Sequence, residues 1–197
     1  MNDPFFIDNE EWQDLIIKRA KRLHPNFDEK IFKLWGENLG IALDINCLKI
    51  IEDLCRVKNP KVIFEFGSGV STIVLAKYAQ EYDCKIFTLD DNFEYLTKTY
   101  NNVFGTYPDN KITFIYSPQA YKDFLENLGL NDKLDLLIID GPHGERFNEF
   151  AKNFYRKFIS QETVCIIDDT DHEDINLFTE KLAKEKNLKK FDYKNSF

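Results

Sequence analysis

KVIFEFGSGVSTIVLAKYAQ, residues 61 to 80, is the stretch whose reading decides the fold. Val62, Ile63 and Phe64 form a β-branched and aromatic run, Glu65 to Ser71 is small and glycine-rich, and Ile73, Leu75, Ala76 and Ala79 then recur at helical spacing. The pattern is strand, tight turn, helix. Gly67 and Gly69 permit a sharp turn and a close backbone approach to a ligand, and Ser71 or Thr72 can cap a helix whose first N–H groups are unpaired. In an open α/β sheet such a turn stands at the carboxyl end of its strand, where ligands bind.

Glu65-Phe66-Gly67-Ser68-Gly69-Val70-Ser71 resembles the first motif of class I S-adenosylmethionine-dependent methyltransferases, acidic-x-Gly-x-Gly-x-Gly, with Ser71 in place of the last Gly. The nicotinamide pattern G-x-G-x-x-G fits less well, because position 72 is Thr. The resemblance implies that Glu65, Phe66, Gly67, Ser68, Gly69, Ser71 and Thr72 line S-adenosylmethionine. It also implies a second acid, at the end of the next strand, on the ribose hydroxyls. A nucleotide-free α/β sheet with a Gly-rich turn is the alternative.

Downstream, strand and helix alternate. Lys85 to Leu89 reads as a strand ending at Asp90-Asp91-Asn92, before a helix over 93–103. Asp90 stands where the resemblance places the ribose acid; Asp90, Asp91 or Asn92 can also cap the helix, with Asp91 the better placed for that task. Lys111 to Tyr116 is a third strand, and Ser117-Pro118 starts a helix, with Ser117 beside the adenine by resemblance. Leu134 to Ile139 is a nearly continuous apolar run, as in a central parallel strand, and it breaks at Asp140-Gly141-Pro142-His143-Gly144. A helix over 145–158, a fifth strand from Thr163 to Ile167, a Lys/Glu-rich helix over 173–187 and a final strand over 188–193 complete the reading. The alternation predicts an α/β, doubly wound, mostly parallel sheet, and the resemblance, which covers about residues 60–190, implies the order 3-2-1-4-5 plus an edge strand. The family normally adds an antiparallel hairpin, of which this sequence holds one strand, so its sheet edge is in question.

Upstream lies a helical prefix, residues 1–58, ahead of the Rossmann-like core at 60–197, the whole read as one domain. Residues 10–23 place Trp12, Leu15, Ile16 and Leu23 on one helical face and end at Pro25; a second helix starts after Asn26 or Asp28, and a third after Asp44. Methyltransferases of this class use such a prefix as a lid or substrate wall, and plain packing on a sheet face is the other reading.

Topology brings Asp140 and Asp168-Asp169, after strands four and five, to the same crevice as the Gly turn. Three carboxylates at one mouth repel unless a cation, base or water offsets them, and their hard oxygens suit a divalent ion such as Mg. The layout is similar to the metal-dependent catechol-type O-methyltransferases, with Asp169 where they have Asn; Asp-Gly-Pro is closer to the sugar O-methyltransferases. Asp140, Asp168 and Asp169 are therefore the candidate metal ligands, and holding the loop or capping the next helix is their alternative work. His143, three residues after Asp140 where the catechol-type enzymes have their catalytic Lys, is the candidate base, with Asp140 as catalytic partner and His172 as a second imidazole. Arg146 reads as an exposed helix residue or a contact to an acidic substrate.

Hydrophobic residues make up 43% of the 197, with 18 Phe and 9 Tyr, which excludes a disordered chain, and the net charge of −8 without a Lys/Arg block disfavours nucleic acid. Cys47, Cys55, Cys84 and Cys165 form no C-x-x-C pair and read as thiols of a reducing, cytoplasmic compartment. No apolar run reaches the length of a membrane span. The expected activity is O-methyl transfer from S-adenosylmethionine to a small molecule or sugar. A non-catalytic methyltransferase-like binding module and an aminopropyl transferase are its rivals.

Overall fold

The computed structural model describes residues 9–39, 42–117, 133–141 and 157–191. Three helices come first: α1 (Asn9–Leu23), α2 (Glu29–Gly36) and α3 (Ile45–Lys58). They are followed by β1 (Val62–Phe66), α4 (Val70–Glu81), β2 (Lys85–Asp90), α5 (Phe93–Thr106), β3 (Ile112–Tyr116), β4 (Leu136–Ile139), β5 (Val164–Ile167) and α6 (Glu173–Lys186). The five strands are all parallel, as the alternating pattern predicts, in the order β3-β2-β1-β4-β5 that the family resemblance implies.

The two faces of the sheet follow from the period of two along each strand. Ile63, Ile86, Ile112, Leu136 and Ile138 point into one core, shared with α4, Val103 of α5 and the prefix, while Val62, Phe64, Phe66, Leu137 and Ile139 point into the other, shared with Phe158 and with Ile175, Phe178 and Leu182 of α6. Both faces of β1 and β4 are covered, and every residue of these strands is buried. That burial is why β4 is wholly apolar and β1 is apolar apart from Glu65.

The prefix is a packing layer on the first face. Ala20, Phe32, Trp35, Ile45, Leu48 and Ile51 are buried in the same core as α4. Asp28 caps α2 by accepting from Lys30 N at 2.9 Å, and Asp44 caps α3 by accepting from Asn46 N at 2.8 Å. Buried Glu52 of α3 then receives Lys77 of α4 at 3.1 Å, and Lys77 also lies 3.4 Å from Asp28, which ties the prefix to the helix after the Gly turn.

Two expectations are corrected. Asn92, not Asp91, caps α5, accepting from Glu94 N and Tyr95 N at 3.0 and 3.2 Å, because Asp90 turns back toward the Gly turn and leaves Asn92 as the residue in extended conformation before the helix. The final strand does not form over 188–191, and residues 192–193 lie outside the described ones. The helix read over 145–158 also lies outside them, apart from 157 and 158, which are helical.

Candidate functional site

Backbone hydrogen bonds align the carboxyl ends of the strands in one row. Ser117 N donates to Asp90 O at 3.1 Å, Gly67 N to Leu89 O at 2.9 Å, Asp140 N to Phe66 O at 2.8 Å and Asp168 N to Ile139 O at 2.9 Å. The first residue past each strand is thereby locked to its neighbour, so the side chains and turns that follow open onto one crevice.

The Gly turn is held from below by Glu65. This carboxylate is wholly buried, and its Oε2 accepts from Thr72 Oγ1 and Thr88 Oγ1, each at 2.6 Å. Thr72 Oγ1 accepts in turn from Gly69 N at 3.0 Å, so a single acid braces the turn through the first turn of α4. Burial pushes the Glu65 carboxyl up to about 7, against the threonine hydroxyls, which favour its charged form. Glu65 Oε1 and Ser71 Oγ are both buried without a hydrogen-bond partner. Gly67, at φ +82°, is where glycine is required: a Cβ there would overlap the Asp140 carbonyl oxygen and come within 2.9 Å of its carbon. Gly69, by contrast, faces open space.

Asp90 closes the other side of the turn. Its Oδ2 accepts from Ser68 N at 2.8 Å and Ser68 Oγ at 2.6 Å, and its Oδ1 accepts from Asn92 N at 2.8 Å. A carboxylate has about four acceptor sites, so Asp90 retains capacity for a further donor.

Asp140, Asp168 and Asp169 offer carboxylate oxygens within 4.8 Å of one another, all three half-buried. Desolvation, then the charges of Asp168, Glu65, Asp169 and Asp90, push the Asp140 carboxyl up to about 8. Asp168 is raised as well, first by burial and then by Asp169, Asp171 and Asp44. Asp169 adopts the left-handed conformation, φ 53°. Asp169 also groups with Asp171 and His172, and His172 is exposed at the head of α6, where it makes no side-chain cap.

Residues 64–170, more than half of the chain, match the model of the family described as Methyltransferase domain. The chain belongs to that family. No curated protein matches it. Among solved structures, this methyltransferase-family chain is similar to a candidate caffeoyl-CoA O-methyltransferase from Staphylococcus aureus, with 21% identity, a TM-score of 0.68, and 87% of this chain and 90% of the other covered. The O-methyltransferase TomG from Streptomyces achromogenes, involved in tomaymycin synthesis and solved with S-adenosylmethionine, shares 18% identity at a TM-score of 0.64, covering 91% and 88%. An O-methyltransferase from Bacillus cereus in complex with its demethylated product SAH shares 15% at 0.66, covering 86% of each chain. These likenesses carry the fold.

Set against the sequence reading, the methyltransferase fold brings together Glu65, Gly67, Ser68, Gly69, Ser71, Thr72, Asp90 and Ser117 around the turn, and Asp140, Asp168 and Asp169 beside it. Glu65 and Phe66 have no surface there: both are fully buried, the acid bracing the turn and the ring stacked on Phe64 at 4.6 Å. His143 and Arg146 lie outside the described residues. Sequence reasoning missed Thr88, whose polar hydroxyl in an otherwise apolar strand was the available signal. It also missed Phe93 and Tyr116, exposed rings in edge-to-face contact at 5.3 Å beside the ends of β2 and β3. Nothing local marks that pair, since 23 residues separate its members. Asp44, after which the sequence reading starts the third helix, caps that helix and also places its charge near Asp168.

Proposed function

We propose that this protein transfers a methyl group from S-adenosylmethionine to an oxygen of a small molecule or sugar. The observation that carries the reading is the juxtaposition of the Gly turn with three mutually close carboxylates, Gly67 lying directly against the backbone of Asp140.

The turn fits the cofactor. The N-terminus of α4, at Gly69 to Ser71, favours the carboxylate of an amino acid, and the Glu65 carboxyl buried beneath the turn favours its ammonium end through charge without touching it. The remaining acceptor site of Asp90 takes a ribose hydroxyl, and Ser68 Oγ, already donating to Asp90, can accept from a second. Ser117 and the exposed faces of Phe93 and Tyr116 offer a polar edge and apolar walls for a base. When bound, the cofactor supplies an electrophilic methyl on a sulfonium.

Asp140, Asp168 and Asp169 are the residues that would hold a divalent cation, a hard donor set whose oxygens already cluster within 4.8 Å. Their work in the reaction is to orient the acceptor hydroxyl and favour its deprotonation. His143, three positions beyond Asp140 in sequence, is the proposed group that takes the proton. Transfer to nitrogen is disfavoured by the Asp140-Gly141-Pro142-His143 turn, which differs from the Asn/Asp-Pro-Pro-aromatic turn of amino-group methyltransferases.

Two measurements test the reading. Calorimetry is expected to show saturable binding of S-adenosylmethionine or its demethylated product, weakened about tenfold or more in Asp90→Ala, and absence of binding by folded protein refutes it. With labelled cofactor, product should form on hydroxylated acceptors and fall with chelator. Transfer confined to amines would overturn the oxygen assignment.

A further inference from the structure

A groove of 2320 Å³ runs along the outer edge of β5, between α1 and α3 on one side and α6 on the other. Its size exceeds the ~300–1,000 Å³ of a usual small-molecule site. One stripe of α3 lines it from end to end: Asp44, Cys47, Ile50, Leu54 and Lys58, spaced three and four residues apart. At ~1.5 Å per residue this stripe is about 20 Å long. Antiparallel to it, β5 runs from Val164 to Ile167 with every residue half-exposed, unlike the covered strands β1 and β4.

The groove is bipolar. At the carboxyl end of the sheet it is lined by Asp44, Asp168, Asp169 and Asp171, of which Asp168 and Asp169 belong to the proposed methyl-transfer site and have carboxylate oxygens within 4.8 Å of Asp140. Its middle is apolar, with Ile50, Leu54, Val164, Ile166 and Leu182. Lys58, Lys189 and Lys190 line the far end, against Glu162 alone among the described acids there, and Lys18, Arg19 and Arg22 of α1 add to the flank. Six cations along one groove stand out in a chain whose net charge is −8. Lys190 is paired with Glu180 at 2.6 Å, whereas Lys58 and Lys189 are exposed and make no ion pair among the described residues.

We infer that the acceptor is a phosphorylated amphiphile, lying along β5 with its hydroxyl-bearing head at Asp168 and Asp169, next to Asp140, its apolar body over Val164 and Leu54, and its phosphate at Lys58 and Lys189. The inference rests on the methyltransferase reading for what happens at the head. The apolar middle rewards burial of a hydrocarbon segment, and the acids at one end and cations at the other fix its direction, since the reversed pose sets phosphate against carboxylates.

The test uses the intact chain and three probes, dodecyl phosphate and dodecyl glucoside below their micelle concentrations and inorganic phosphate, followed by calorimetry and by tryptophan fluorescence in a Trp12→Phe background, where Trp35, which lines the groove, is the reporter. Dodecyl phosphate is expected to bind about tenfold or more tightly than either other probe. The double variant Lys58→Glu/Lys189→Glu should abolish that preference while leaving dodecyl glucoside binding and calorimetric SAH binding unchanged. Ile50→Arg should remove both amphiphiles. Equal affinity for the two amphiphiles, or a phosphate preference that survives the lysine exchanges, overturns the proposal, as does a dimer that covers the groove and dissociates in Ile50→Arg. Loss of SAH binding in the unaltered protein would instead strike the methyltransferase reading and leave the phosphate preference of the groove standing.

Discussion

Replacing Glu65 with Gln is expected to stabilise the ligand-free protein at alkaline pH and to leave it nearly unchanged at acidic pH. The carboxyl of Glu65 is raised from 4.5 to about 7 by full burial. A raised folded-state value means that the native protein holds the proton more tightly than the unfolded chain. The stabilisation from that proton is complete below the unfolded value, near 4.5, and is lost as pH rises through the folded value, near 7. At about 1.4 kcal/mol per tenfold change in proton affinity, the rise from 4.5 to about 7 corresponds to about 3 kcal/mol lost between pH 4 and pH 8. Gln fits the same place: its carbonyl oxygen can accept from Thr72 and Thr88 as Oε2 does, and its amide can donate toward Ser71 Oγ, which now lacks a partner. Urea unfolding of both proteins at pH 5 and pH 8 measures the effect, and the difference between the two proteins cancels the titrating groups that do not feel Glu65, leaving Glu65 and its coupled neighbours Asp90 and Asp140. A gap that does not grow in favour of the variant between the two pH values would refute the argument, because burial would then not be what sets the proton affinity.

Three further outcomes follow from the same geometry. Gly67→Ala should cost about 2–4 kcal/mol in denaturant unfolding, combining positive φ with overlap on the Asp140 backbone, whereas Gly69→Ala, facing open space, should cost far less. Asp168→Asn should raise the stability of the metal-free protein at pH 8, because burial and then the neighbouring carboxylates disfavour the Asp168 charge, and weaken Mn²⁺ binding measured by calorimetry. His143→Ala should lower turnover at least about a hundredfold with cofactor affinity unchanged, and full turnover in that variant would remove His143 from the proposed mechanism.

The strands were legible because each carries its own local signature, and their order came with the family resemblance of the Gly turn. Leu134 to Ile139 reads as doubly covered because it is apolar at successive positions, and β4 is indeed buried on both faces. The acids at the strand ends were legible for the same reason: an Asp that ends an apolar run must stand at the sheet mouth. What escaped were features decided by competition or by distance in sequence. Asp91 and Asn92 can both cap a helix, and the choice fell to Asn92 once Asp90 bonded Ser68 and Asn92 N. The Phe93–Tyr116 pair depends on the register of β2 against β3. The groove along β5 depends on how far α3 and α6 stand from a strand edge, a quantity with no local sequence signal. Leu188 to Phe191 alternates too weakly to force a strand and has no described strand partner on β5.

The turn and the acids behave as one rigid unit, and this constrains the chemistry. Asp140 N is bonded to Phe66 O, Gly67 N to Leu89 O, and Gly67 leaves no room for a side chain against Asp140. A group held by the Gly turn and a hydroxyl held by Asp140 are therefore set by adjacent backbone atoms in the centre of the sheet, where motion is smallest. The same closeness makes the acids raise one another, with Glu65 and Asp90 acting on Asp140 as well as Asp168 and Asp169. Without a counter-charge, the cluster can relax by retaining a proton on Asp140 near neutral pH. A divalent cation would displace that proton and restore the negative set, so metal binding is expected to release protons and to tighten as pH rises from 6 to 8. Calorimetry of Mn²⁺ binding in buffers of different ionisation enthalpy reads the release directly. Binding without proton release across that range would mean that the cation, if held, sits away from Asp140.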